Sequence, residues 1–451
     1  MKALLDRLHA RLGDFWWYSL MIFMAARAAD CLNVFVGLWL VPKYVPPSEL
    51  GAVHPLAQFA SFLTVPAAVF ASTFRQELTG LAIKRDFGKM KTLMRGVFIA
   101  TAVFFFVAII VSRLLLPHFL ERIRIAEGSL GLVILAASFI GATAPVYTNA
   151  LQALKKFKAF SAINVLCAPV RLVTMLIMMP FRALTGYFVG QAATPAFSIA
   201  ASVVALRTEL SVPAEPYWNR AIVKRLTRLF LILGVSSLVS YAVTLIEATV
   251  IRQRLPELDS AAYYLVTRFS EISTFLATTL MITLFPFAAD LSAQGRDNRP
   301  LILKCMLATV LFGGILALFF ALFGAQVLTI LPNGERYSPF SWAIPAMIAI
   351  SVVNQCGSFY ITAETAAARF AFLRWTIPLH LGYIALILFV TGCGYFTPYL
   401  SADTAQFLAN HNIRSLETMV LWLLGFQVLR LLGCLMSMAF AGKPPAKRST
   451  N

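Results

Sequence analysis

Two short segments of this sequence place an arginine three residues before an acid: Arg27-Ala-Ala-Asp30 and Arg268-Phe-Ser-Glu271. Residues three apart share one face of a helix, so each segment sets a guanidinium beside a carboxylate. Two readings follow. In the first, both faces line an aqueous cavity, and Arg27 and Arg268 grip an anionic group such as a diphosphate. Forked guanidinium donors suit its oxygens. Asp30 and Glu271 then balance the empty cavity or hold a coupling cation. In the second, each pair is an intrahelical ion pair that only fixes packing.

Other ionisable residues stand inside apolar surroundings. Arg171 follows Pro169, and Arg430 lies in "LGFQVLRLLG". Both are further candidates to bind an anion, although Arg171 can also snorkel to the surface. Glu247 is isolated in "AVTLIEATVI", and reads equally as a proton-coupled acid or a hydrogen-bonded buried one. Glu364 and Arg369 read as a pair at the inner surface. A charge at the centre of a membrane helix costs about 2.5–3.5 kcal/mol on the insertion scale, so each of these is a functional candidate by default.

The elements that must carry these residues are membrane helices. The chain has 451 residues, of which 59% are hydrophobic and 13% charged. Soluble domains carry about 25% charged residues, so a soluble enzyme, a disordered chain and a secreted disulfide scaffold are all excluded. A span needs about 20 apolar residues. Twelve runs qualify: 18–41, 51–74, 93–115, 130–150, 159–179, 183–206, 226–250, 261–289, 301–323, 340–362, 370–390 and 419–440. Membrane strands are about half that length and alternate in polarity. Backbone groups in lipid must bond within their own segment, which leaves helix. The expected class is therefore an all-α, polytopic membrane protein.

Lysine and arginine set the expected orientation. With the N-terminus inside, inner segments carry 25 of the 38 basic residues and outer segments nine. Both termini are thus expected in the cytoplasm, with the chain in the inner (plasma) membrane. The net charge of +18 reads as this topology signal plus attraction to anionic lipid headgroups. No basic domain interleaved with aromatics stands outside the spans, so no nucleic-acid partner is expected.

The longest inner connection, "ELSVPAEPYWNR", divides the spans six and six. The expected domains are an N-terminal lobe at 1–208, a linker at 209–225, a C-terminal lobe at 226–440 and a basic disordered tail at 441–451. Residues 1–17 carry Leu4, Leu5, Leu8, Leu12 and Phe15 on one face, as an interfacial helix does. The lobes echo each other weakly. "SELGAVHPLAQF" parallels "PELDSAAYYLVTRF", "FRQELTG" parallels "FAADLSA", and "ALKKFKAF" parallels "AAARFAFL". An even number of spans per lobe makes this a parallel pseudo-repeat, a design that permits rocking alternating access. Pro66, Pro145, Pro169, Pro286 and Pro345 fall within or near spans and read either as hinges or as packing kinks.

Catalytic signatures are missing. There is no G-x-x-x-x-G-K-[ST], no G-x-S-x-G and no H-E-x-x-H. The six cysteines are scattered and the five histidines lack metal-ligand spacing. No metal, no cofactor and no enzyme activity are expected.

The stretches "PPSELGAVHPLAQF", "LFPFAADLSAQGRD" and "NALQALKKFKAFSAINV" carry a resemblance. The chain resembles the polysaccharide-type (O-antigen) flippases of the multidrug/oligosaccharidyl-lipid/polysaccharide exporter superfamily. The resemblance implies a two-lobed, twelve-helix fold that moves a polyprenyl-diphosphate-linked oligosaccharide from the inner to the outer leaflet. It implies a role in building a cell-surface polysaccharide such as lipopolysaccharide. In the related peptidoglycan-precursor flippases, cavity arginines on the first and eighth helices matter, and Arg27 and Arg268 sit on comparable helices. That lineage has two further helices. Coupling to H+ or Na+, contact with membrane lipids, polymerase and glycosyltransferase partners, and a monomeric state are expectations of the same kind. The alternatives are a drug/cation antiporter of the same fold, a major-facilitator transporter and a membrane enzyme that transfers glycans. Cation exporters favour acidic cavities, and the in-span arginines favour an anion.

Overall fold

The computed structural model describes residues 30–125, 128–154, 156–218, 220–367, 369–391 and 415–440. Arg27, the amphipathic segment at 1–17 and the tail at 441–451 lie outside them. Among the described residues the secondary structure is helical, with no strand. Residues 30–35 are helical and pass into a π-helical turn, Val36–Leu40. Eleven longer helices follow: α1 Pro47–Lys84, α2 Phe87–Arg122, α3 Gly128–Ala153, α4 Phe157–Met178, α5 Ala183–Ala205, α6 Arg220–Arg254, α7 Glu257–Ala293, α8 Arg299–Ile330, α9 Ala343–Ala366, α10 Leu373–Thr391 and α11 Leu416–Phe440. Among the described residues, ten helices are long and apolar enough to cross a membrane. The run at 51–74 lies inside α1, a helix of 38 residues, and the run at 18–41 is described only from residue 30.

The helices sort their residues by partner as lipid-embedded helices do. On α8, Leu307, Leu311, Ile315, Leu318 and Leu322 are exposed, at steps of three and four that trace one stripe. Cys305, Thr309, Gly313 and Phe320 are buried on the other side. Between helices in lipid, van der Waals fit replaces the hydrophobic effect, and small residues allow close approach. Gly313 does so: a Cβ there would collide with Val352 of α9. On α5, a Cβ at Gly186 would meet the backbone of Met178 and Met179 at the end of α4.

Pro66, Pro145, Pro169 and Pro286 all sit inside helices that continue past them. Pro345 instead occupies the first turn of α9, where an amide N–H has no intrahelical acceptor to lose. The pseudo-repeat leaves a trace in the elements. α1 and α7 have 38 and 37 residues, and each opens with an acid, Glu49 or Glu257, in its first turn. There the acid faces the positive end of the helix dipole.

Two compact units emerge, one of residues 40–261 and one of residues 262–440 with the described residues before Leu40. This division by contact differs from the division by symmetry into 1–208 and 226–440. In the first unit α6 packs along α1, and Phe70 stacks on Phe230 with centroids 4.2 Å apart. Arg252, 1% exposed, clamps the same unit. Its Nε donates to the carbonyl of Ile123 at 2.9 Å and one Nη to that of Ser48 at 2.6 Å. Those bonds tie the end of α6 to the end of α2 and the start of α1. In the second unit, the Tyr264 hydroxyl donates to the carbonyl of Gly37 at 3.2 Å.

Candidate functional site

Arg268 lies on α7, eleven residues from its start, or about 16 Å along the axis. Its Nη1 donates to Glu271 Oε1 at 2.5 Å, so the pair expected from the i, i+3 spacing is formed. The guanidinium also lies 5.1 Å from the centroid of the Tyr264 ring, within reach of a cation–π attraction. Gly37 packs against the aliphatic part of the side chain: a Cβ there would stand 3.0 Å from Arg268 Cδ. Gly37 belongs to the π-helical turn, a form that recurs at functional positions. The carboxylate end of the pair is the more open, with Glu271 41% exposed and Arg268 17%.

Arg430 is positioned differently. Fourteen residues of α11 precede it and ten follow, so it lies about 15–20 Å from either end of the helix. A hydrocarbon core is about 30 Å thick, which puts this guanidinium deep in the membrane. Its Nη1 donates to Asn354 Oδ1 and its Nη2 to Ser358 Oγ at 3.3 Å. Both acceptors sit on α9, one turn apart. Ser358 in turn donates to the Asn354 carbonyl at 2.9 Å. All these partners are neutral. No carboxylate pairs with Arg430 among the described residues, and its buried Nε has no hydrogen-bond partner among them.

Asn354 and Ser358 extend a polar stripe that begins at Ser351. The Ser273 hydroxyl of α7 donates to Ser351 Oγ at 3.0 Å. Ser351, Asn354 and Ser358 are spaced three and four apart, one face of a helix. This stripe was absent from the sequence-based site, and its signal was readable: polar residues at helical period inside "ISVVNQCGSFYI". On α10, His380 is buried, its Nδ1 lies 2.6 Å from the Thr376 carbonyl, and its ring meets that of Phe426 edge-on.

The remaining candidates fall elsewhere. Asp30 is half-buried in the first described helical turn, and Arg27 lies outside the described residues. In the unit of residues 40–261, Arg171 is half-buried on α4 and Glu247 is buried on α6; both are engaged by neighbours. That unit also holds a pocket of about 200 Å³ between α1, α3 and α5, lined by Ser61, Thr64, Ser138 and Gln191 among others. Its lining mixes these polar side chains with apolar ones and includes no charged residue. Glu364 and Arg369 share a small pocket of about 20 Å³ with Arg296, Arg299 and Tyr360. That volume holds about one water.

Neither a family model nor a curated protein matches this sequence. Solved structures do. An inward-closed structure of the lipid II flippase MurJ superposes with a TM-score of 0.66 at 13% identity, covering 93% of this chain and 87% of that one. An inward-facing multidrug-resistance MATE transporter of the MOP superfamily gives 0.64 at 12% identity, covering 94% and 97%. A MOP transporter from Pyrococcus furiosus, described as having a binding pocket of reversed polarity, gives 0.61 at 13% identity, covering 95% and 96%. The chain thus has the fold of the MOP-superfamily transporters. Members of that fold have been captured both inward- and outward-facing.

Proposed function

We propose that this protein is a flippase for an anionic, lipid-linked oligosaccharide. It carries a polyprenyl-diphosphate-linked glycan from the inner to the outer leaflet by alternating access. The observation that carries the reading is Arg430, a guanidinium deep in a membrane helix whose partners, Asn354 and Ser358, are neutral. An uncompensated charge at that depth is costly, and an anionic ligand offsets the cost only while it is bound. Arg268 is a further cationic group within a span of the same unit, and Glu271 holds its charge until a phosphate competes for it. Arg27 and Arg171 are further proposed contacts along the route, and Asp30, Glu271 and Glu247 are the proposed carriers of charge balance or of a coupling proton or sodium ion. The likeness to a lipid II flippase supports a lipid-linked cargo.

Drug or cation antiport is the second reading. Glu247, buried within α6, favours it, as does the likeness to MATE transporters. The two readings separate in proteoliposomes. A fluorescent polyprenyl-diphosphate oligosaccharide is loaded into one leaflet, and its arrival in the other is read by a membrane-impermeant quencher. The flippase reading expects transfer by the wild type and a loss of at least about tenfold in both Arg430→Gln and Arg268→Gln. Equal transfer by wild type and both variants, or efflux of an organic cation with no lipid transfer, overturns it.

A further inference from the structure

The second unit contains an apolar cleft that the proposed anion contacts of Arg430 do not use. It lies between α10 and α11, has a volume of about 700 Å³, and is lined by Gly382, Tyr383, Leu386, Trp422, Gly425 and Phe426 among others. That volume is in the range of true ligand pockets, about 300–1,000 Å³. Two glycines open it: a Cβ at Gly382 or at Gly425 would have nothing within 4 Å. Aromatic rings build its wall. Tyr383 stacks on Phe426 with centroids 3.9 Å apart and planes at 12°. Along α11 the lining runs from Thr418 to Leu429, a distance of about 16 Å. Leu429 adjoins Arg430 in the chain, and Phe426 lies one helical turn from it. The end of the cleft therefore lies at the same level along α11 as Arg430, whose guanidinium turns toward α9 and is not itself part of the lining.

We propose that this cleft binds the isoprenoid tail of the transported lipid while its diphosphate engages the Arg430 cluster. The occupant follows from charge and depth. The whole lining belongs to two membrane-spanning helices, so hydrocarbon fills the cleft. Resident bilayer lipids keep their phosphates in the headgroup layer, about 15 Å from the midplane. Arg430 lies about that far inside the helix ends. Only an amphiphile in transit brings a phosphate to that depth with its hydrocarbon still attached and beside it. Chain and headgroup are then read together, which discriminates an isoprenoid diphosphate from a free phosphate and from a phospholipid. This inference rests on the flippase reading, and it assigns the cargo's tail a path that the reading left open.

The test measures binding of farnesyl diphosphate to the full chain in nanodiscs. Inorganic diphosphate and phosphatidylglycerol serve as comparison ligands. Gly382→Leu and Gly425→Leu place a side chain in the cleft from positions where a Cβ meets nothing within 4 Å, and Leu386→Trp narrows it from a side chain already 44% exposed. The expected result is that each substitution weakens farnesyl diphosphate by at least about tenfold and leaves inorganic diphosphate unchanged. Arg430→Gln weakens both. Unchanged farnesyl diphosphate affinity in the folded Leu386→Trp and glycine variants overturns the proposal. Displacement by phosphatidylglycerol at equal concentration also overturns it, since ordinary lipid then covers the cleft. The outcomes separate from those of the transport assay. Cleft-dependent binding without oligosaccharide transfer defeats the flippase reading alone, and oligosaccharide transfer that survives a filled cleft defeats the tail site alone.

Discussion

Arg268 and Arg430 stand in the same compact unit and illustrate two ways of keeping a guanidinium in a membrane. Arg268 brings its own counter-ion, Glu271, three residues along the same helix. Arg430 borrows an amide and a hydroxyl from a neighbouring helix and has no carboxylate partner among the described residues. The first arrangement is electrically closed, with its carboxylate end partly exposed. The second is geometrically satisfied on two nitrogens and electrically open. A paired arginine stores a site that a phosphate must win by competition; an uncompensated one gains outright from an anion. The two therefore differ in what their loss should cost.

The largest effect is expected at Arg430. Arg430→Gln should reduce lipid transfer about 100-fold, and Arg430→Lys should recover little, because an ammonium lacks the fork that reaches Asn354 and Ser358 together. Transfer assays on protein matched for insertion check this, and full activity of the lysine variant would collapse the distinction drawn here. Next comes Asn354→Ala. It removes the amide that answers a buried charge, a class of change worth about 2–3 kcal/mol, so the melting temperature should fall. The fall should disappear in the Arg430→Met background, where no charge needs an acceptor.

The Arg268–Glu271 pair should matter less for stability. Glu271 is 41% exposed, and pairs open to solvent contribute about 0–1 kcal/mol. A double-mutant cycle with Arg268→Gln and Glu271→Gln should give a coupling below about 1 kcal/mol, while Arg268→Gln alone slows transfer. A coupling of several kcal/mol would make the pair a packing lock and remove it from the transport site. The smallest effect is expected away from both sites. Tyr337, in the connection between α8 and α9, is 1% exposed, and its hydroxyl has no partner among the described residues. Burial pushes its phenol up from the ordinary tyrosine value, so its contribution is intact below about pH 10 and is lost as pH rises through the raised value. Tyr337→Phe should hold or slightly raise the melting temperature and remove that alkaline limb.

Much of this was legible in the chain of letters. Apolar run lengths gave the spans, because lipid leaves the backbone no alternative to helix. The i, i+3 spacing gave the Arg268–Glu271 contact, because that geometry is local to one helix. Pro345 read as either a hinge or a packing kink, and it lies in the first turn of α9; only the position of the helix end separates these roles. Ser351, Asn354 and Ser358 were visible as a polar period, yet nothing in α9 names Arg430, 72 residues or more away, as the partner of Asn354 and Ser358.

By itself, then, the sequence determined what one helix can determine: which segments enter the membrane, which face of each is polar, and which charges neutralise a near neighbour. Tertiary structure alone decided which arginine is left without a counter-ion among the described residues and where two helices part to leave a cleft of about 700 Å³. Local spacing fixes contacts within about one turn, whereas a charge's partner on another helix and the void between two helices depend on how side chains of distant segments mesh.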